Sequence, residues 1–204
     1  ASREEIQKSM AENGLKLLYA VPWPPQGLYT KDAVNGISDL EGLKMRAYSP
    51  STSRLSVLLK STPTTVQTPE IPQAFGTGII NAMVTSPSTG VSSQAWDFVN
   101  HYTDVQAWIP KNMVFVNSKA FNRLSDSTQK SVLEAATVAE TRGWDMAAKE
   151  TSIKTDMLAE NGMAVSKPSK ELTAALENIG STMAEEWVQE SGQRGTAVLT
   201  QYKK

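Results

Sequence analysis

The chain has 204 residues and not one cysteine. That single absence removes disulfides, thiolate metal sites and cysteine nucleophiles together. Histidine occurs once, as His101, so a histidine-based metal cluster or a Ser–His–Asp relay has little to build on. No apolar run approaches the roughly 20 residues that a membrane-spanning helix needs. Charge of one sign is also lacking. The net charge is −1, the pI is near 6.0 and no basic stripe stands out, which makes nucleic acid and anionic membrane poor partners. Internal repeats and low-complexity segments are absent too. What remains is 40% hydrophobic and 20% charged, the composition of a folded protein of one or two domains.

The most informative stretch is Asp39-Leu40-Glu41-Gly42-Leu43-Lys44-Met45-Arg46-Ala47-Tyr48-Ser49. Leu43, Met45 and Ala47 alternate with Lys44, Arg46 and Tyr48, the period of a strand with one apolar face. Pro50 cannot continue the strand, and Ser49 or Ser51 can cap a helix extending to Lys60. Arg46 then lies near the carboxyl end of a strand, just before a helix start. Ligands of open α/β sheets bind at such places. A guanidinium there offers a planar fork to a carboxylate, and the helix start adds free N–H groups. A plain ion pair at a strand edge is the competing reading of Arg46 taken alone.

Elsewhere the patterns predict a helix over 2–12 stopped by Asn13-Gly14 and a buried strand from Leu15 to Val21. The loop Pro22 to Gly27 cannot be regular structure. Thr68-Pro69-Glu70 opens a short helix that ends at Gly76. A second buried strand covers 79–84. Thr85 to Gly90 follows as a hydroxyl-rich loop before an expected helix over 91–100. Residues 112–117 make another strand. The longest helix starts at Leu124-Ser125-Asp126 and stops at Asn161-Gly162, a span of ~50 Å at 1.5 Å per residue. Such a helix must kink, with Gly143 the expected place, or reach beyond one lobe. A short strand over 163–165 and a helix from Pro168 to about Gly192 follow, the tail from Thr196 to Tyr202 is expected to add a last turn or two, and Lys203-Lys204 is expected to fray.

Asp39-Leu40-Glu41-Gly42-Leu43-Lys44-Met45-Arg46 resembles the "DL-x-GLK-x-R" segment of the solute-binding proteins of TRAP transporters, the DctP family. Gly78-Ile79-Ile80-Asn81-Ala82 is loosely similar to a second family motif, and the resemblance runs from about Met10 to about Ala164. It implies an α/β, periplasmic-binding-protein-like lobe: three layers, with a mixed, mostly parallel sheet flanked by helices and a long lobe-bridging helix. Residues 1–18 would be what remains of the first lobe and hinge, with most of that lobe missing. Residues 19–107 and 162–204 would form the second, ligand-binding lobe. Residues 108–161 would supply a first-lobe strand and the bridging helix. The implied protein is periplasmic and non-catalytic, and it captures an organic acid for a membrane permease. In the family the arginine matching Arg46 clamps the carboxylate. Thr85, or Ser86 with a slipped register, takes the place of a ligand-contacting asparagine, and Thr68 falls at a frequent pocket position. Many members carry a second arginine in the loop before the signature, and Gln26 stands there instead. A dicarboxylate would lose a charge partner, so the expected ligand is a monocarboxylate. A 2-oxo or 2-hydroxy acid with an apolar or aromatic tail resting on Trp23 or Trp108 would fit.

No cofactor, metal site or catalytic residue is expected. The competing class is the effector-binding lobe of a regulator, for which no basic helix-turn-helix pattern is present. An enzyme ranks third, because Asp97, Asp104 and Glu70 have no nucleophile paired with a base at recognisable spacing. Without a first lobe, Met113 to Val116 and one face of the long helix would expose apolar area. A dimer or a retained N-terminal piece is the expected consequence.

Overall fold

The computed structural model of the chain describes residues 2–202, and the expectation for Lys203-Lys204 lies outside them. Two compact units emerge from the contacts. Unit 1 joins Ala1–Trp23, Pro110–Ala147 and Ala184–Lys204, and unit 2 joins Pro24–Ile109 and Ala148–Met183. The borders at 147/148 and 183/184 fall within the two long helices.

Unit 2 carries a six-stranded sheet. Its strands are β2 (Gly27–Thr30), β3 (Lys44–Ala47), β4 (Thr62–Thr65), β5 (Ala82–Thr85), β6 (His101–Thr103) and β8 (Ala164–Ser166). They lie in the order β4-β3-β5-β2-β6-β8. β3 is parallel to β4 and β5, β6 is parallel to β8, and β2 runs antiparallel to both of its neighbours. Five strands therefore share one direction, which is the mixed, mostly parallel sheet expected. Strands of such sheets are covered on both faces. In β3, accordingly, Met45, Arg46 and Ala47 are all buried, in place of the expected one-sided pattern.

The helix after β3, α2 (Pro50–Leu58), starts where the cap residues place it. Ser49 Oγ accepts the Thr52 N–H, and Pro50 occupies the first helical position. Thr68–Glu70 forms a 3-10 turn that leads into α3 (Ile71–Gly76). The expected helix over 91–100 is replaced by α4 (Pro87–Ser92) and a 3-10 turn at Ala95–Asp97. Ser86 and Pro87 start α4 early, and Gln94 in the left-handed region (φ 52°) stops it from continuing. Two apolar clusters fill unit 2, one around Tyr29, Ile71, Phe75, Met83 and Tyr102, the other around Leu28, Met45, Leu59, Val84 and Leu172.

In unit 1, β1 (Leu15–Pro22) pairs antiparallel with β7 (Lys111–Asn117). The helices α1 (Arg3–Glu12) and α5 (Ser118–Phe121) lie here, with the first part of α6 (Asp126–Glu160) and the end of α7 (Lys170–Tyr202). The α6 helix runs 35 residues without the expected kink at Gly143. That glycine serves close approach instead: a Cβ there would meet Val21 Cγ1 at 2.2 Å. Met113, Val114 and Phe115 of β7 are exposed, as are Leu133, Val138 and Trp144 of α6. No helix among the described residues is long and apolar enough to cross a membrane.

Candidate functional site

Arg46 sits in the third position of β3 and is only 3% exposed. Its Nε donates to the Val66 carbonyl at 2.9 Å and its Nη2 to Thr68 Oγ1 at 3.2 Å. The guanidinium carbon lies 4.8 Å from the centre of the Tyr48 ring. Arginine brings five N–H donors. Three are left over, and among the described residues no carboxylate meets the charge. Burial pushes the Arg46 pKa below its ordinary value, with Tyr48 pulling the other way. Arginine nevertheless stays protonated in proteins. A buried cation without an anion costs on the order of several kcal/mol. Thr68 is exposed, so the Nη2 edge of the guanidinium approaches solvent.

Tyr48 lies just past the end of β3, with its ring against the Arg46 guanidinium. Its N–H donates to Thr52 Oγ1 at 2.9 Å, which ties the turn after β3 to the α2 cap. Its hydroxyl donates to Gln26 Oε1 at 3.2 Å, and burial pushes its pKa up, with Trp108 and the Arg46 charge pulling the other way. Gln26 is 2% exposed, and its Nε2 donates to the Pro24 carbonyl at 3.0 Å. Its backbone N–H reaches Trp108 O at 3.0 Å, and its carbonyl accepts from Ala107 at 2.9 Å.

Thr85, the last residue of β5, pairs in register with Gly27. Its residue surface is 4% exposed. The hydroxyl has no hydrogen-bond partner among the described residues, yet it is not a sealed polar atom, so it opens to solvent. Ser86 differs: its Oγ donates to Thr89 Oγ1 and accepts the Thr89 N–H, each at 3.1 Å, and is committed to capping α4. Tyr29 OH fixes the same corner through the Ser86 carbonyl at 3.0 Å. A Cβ on Gly90 would strike that hydroxyl at 2.2 Å, so the turn depends on a glycine.

Of the seven residues singled out from the sequence, Arg46, Gln26, Thr68, Thr85, Ser86 and Trp108 belong to unit 2. Arg46 joins Thr68 directly and, through Tyr48, Gln26 and Trp108. Trp23 belongs to unit 1, where it is exposed and donates its N–H to Pro110 O at 2.7 Å. Trp108 also lines an apolar cleft of about 320 Å³ with Leu55, Val105, Leu176 and Met183. No lysine or arginine lines that cleft. Two of the three acids considered for catalysis have structural work: Glu70 accepts the Gln67 N–H and Asp104 pairs with Lys167. Sequence reasoning missed Tyr48, although it stands only two residues after Arg46.

Residues 1–191 match the DctP family, bacterial extracellular solute-binding protein family 7, and the chain belongs to that family, whose members are the solute receptors of TRAP transporters. It is 48% identical to DctP7 of Bordetella pertussis, an extracytoplasmic solute receptor binding pyroglutamic acid. The TM-score is 0.95 over 99% of this chain and 67% of that one. DctP6 of the same organism, also binding pyroglutamic acid, is 38% identical with a TM-score of 0.95 over 98% of this chain and 67% of that one. A marine-metagenome TRAP solute-binding protein specific for pyroglutamate is 31% identical, with a TM-score of 0.93 over 99% of this chain and 66% of that one. The chain thus spans about two-thirds of the length of these relatives.

Proposed function

We propose that this chain carries the carboxylate-holding lobe of a TRAP receptor that captures a small monocarboxylate of the pyroglutamate class and delivers it to a membrane permease. The observation that carries the reading is Arg46, a buried cation with three free donors and no acid partner among the described residues. A ligand carboxylate supplies the missing anion, and a charge-assisted pair in this poorly hydrated place is stronger than one in water. Gln26, neutral, stands where a second cation would favour a dicarboxylate. Pyroglutamate offers one carboxylate and one compact ring, which suits a site with a single arginine, and three relatives between 31% and 48% identical are described with it. The role is binding without chemistry, as membership of a solute-binding family favours. Membership of the family favours a receptor over the effector-binding lobe of a regulator.

Calorimetric titration of the complete polypeptide carrying this sequence tests the proposal. L-pyroglutamate, lactate, phenylpyruvate and succinate form the panel. Pyroglutamate is expected to bind at least about tenfold more tightly than succinate, one lost charge partner being worth 1.4 kcal/mol or more. Tighter binding of succinate than of every monocarboxylate would overturn it.

A further inference from the structure

The polarity of the hydrogen bonds around Gln26 can be followed atom by atom. Pro24 O can only accept, so the Gln26 atom facing it at 3.0 Å must be the amide nitrogen. The Tyr48 hydroxyl gives its proton to Gln26 Oε1 at 3.2 Å, which only an oxygen can accept. These bonds leave one N–H of Gln26 Nε2 without a partner among the described residues. Thr52 holds the other end of the arrangement, since its Oγ1 accepts both the Tyr48 and the Ser49 N–H groups at 2.9 Å.

We propose that Tyr48 is a specificity-determining positioning residue: with the Pro24 carbonyl it locks the Gln26 amide with one N–H free, and the site then reads a carbonyl oxygen on the ligand. The inference rests on the reading of Arg46 as a carboxylate clamp and adds what the rest of the ligand must offer. Arg46 and Gln26 both present donors, so the ligand brings two acceptors, a carboxylate and a neutral carbonyl. The Thr85 hydroxyl, open to solvent and in register with Gly27 beside Gln26, can meet a ring N–H as an acceptor. A reversed Gln26 amide would present its oxygen and favour a cyclic ammonium acid such as proline. The Pro24 carbonyl and the Tyr48 hydroxyl exclude that orientation together, because a reversed amide would set Oε1 against the Pro24 carbonyl oxygen and Nε2–H against the Tyr48 proton. The Tyr48 ring has a separate task, its face lying against Arg46 at 4.8 Å.

Two probes isolate the carbonyl. Cyclopentanecarboxylate has the ring and the carboxylate alone. 3-Oxocyclopentane-1-carboxylate adds one carbonyl oxygen, placed as in a five-membered lactam acid. The complete polypeptide carrying this sequence is expected to bind the oxo acid about tenfold more tightly. Tyr48→Phe keeps the ring over Arg46 and removes only the hydroxyl. In that variant the ratio is expected to fall below about threefold, while the affinity for cyclopentanecarboxylate changes by less than about threefold. Gln26→Leu provides a second variant with the same expected loss of ratio. A wild-type ratio near one, or a ratio kept in both variants, overturns the proposal while leaving the arginine clamp standing. Failure of the wild-type protein to bind either acid overturns the clamp, and this proposal with it.

Discussion

Replacing Arg46 by methionine separates ligand binding from folding. Truncating one member of a buried, hydrogen-bonded charge pair costs about 2–5 kcal/mol, or roughly 30- to 4,000-fold in Kd. The ligand-free protein responds differently. Loss of the guanidinium relieves the burial of an uncompensated charge, on the order of several kcal/mol. Against this, the Val66 carbonyl and Thr68 Oγ1 lose charge-assisted bonds worth about 1.5–3 kcal/mol each. The contact with the Tyr48 ring, about 0.5–2 kcal/mol, is lost as well. These terms offset, so the stability of ligand-free Arg46→Met should lie within about 2 kcal/mol of wild type. Thermal unfolding with and without L-pyroglutamate reads both sides. At about 100 times Kd the ligand should stabilise wild type by about 2.7 kcal/mol and the variant hardly at all. Binding within threefold of wild type would refute the argument. So would a variant that cannot fold without ligand, since Arg46 would then be a structural group.

Two further predictions concern unit 1. Glu140 accepts the Ala20 N–H at 3.0 Å and pairs with Arg3 at 2.6 Å. Burial raises its pKa, but these bonds outweigh burial and leave the carboxyl below its usual range. A carboxyl lowered in the folded state contributes stability above its unfolded pKa and loses it as pH falls through the folded pKa. Glu140→Gln should therefore cost up to about 1 kcal/mol at pH 7 and less as the pH falls through the lowered folded pKa; denaturant melts across the acid range check this, and a gap that stays constant with pH contradicts it. Gly143→Ala gains about 0.5–1 kcal/mol of helix propensity but forces a Cβ to within 2.2 Å of Val21 Cγ1, so a net loss of about 1–2 kcal/mol is expected. Combining it with Val21→Ala should recover part of that loss in a thermal melt, and additive losses would contradict the contact argument.

The parts of the fold that were legible had strong local signals. Pro50 after Ser49 places a helix start with little ambiguity, and an uninterrupted apolar period announces α6. The short strands β2, β4 and β6 were not legible. Each has three or four residues, too few for a period, and β2 begins with Gly27 and is buried throughout. What forms it is pairing with β5 and β6, a tertiary effect. Gly27 is needed because a Cβ would meet the Tyr102 ring at 2.2 Å. The hydroxyl cluster from Thr85 to Gly90 was legible as a candidate, but its composition could not tell the open Thr85 hydroxyl from the Ser86 cap. Tyr48 escaped notice because strand period assigns it a face without saying which groups meet its hydroxyl.

The most direct test of the Arg46-centred account is a crystal structure of the complete polypeptide grown with L-pyroglutamate. The account predicts ligand carboxylate oxygens at about 2.7–2.9 Å from the free Arg46 nitrogens, with Val66 O and Thr68 Oγ1 still bonded to the other two donors. A carboxylate bound elsewhere, with Arg46 keeping only its present partners, would contradict it.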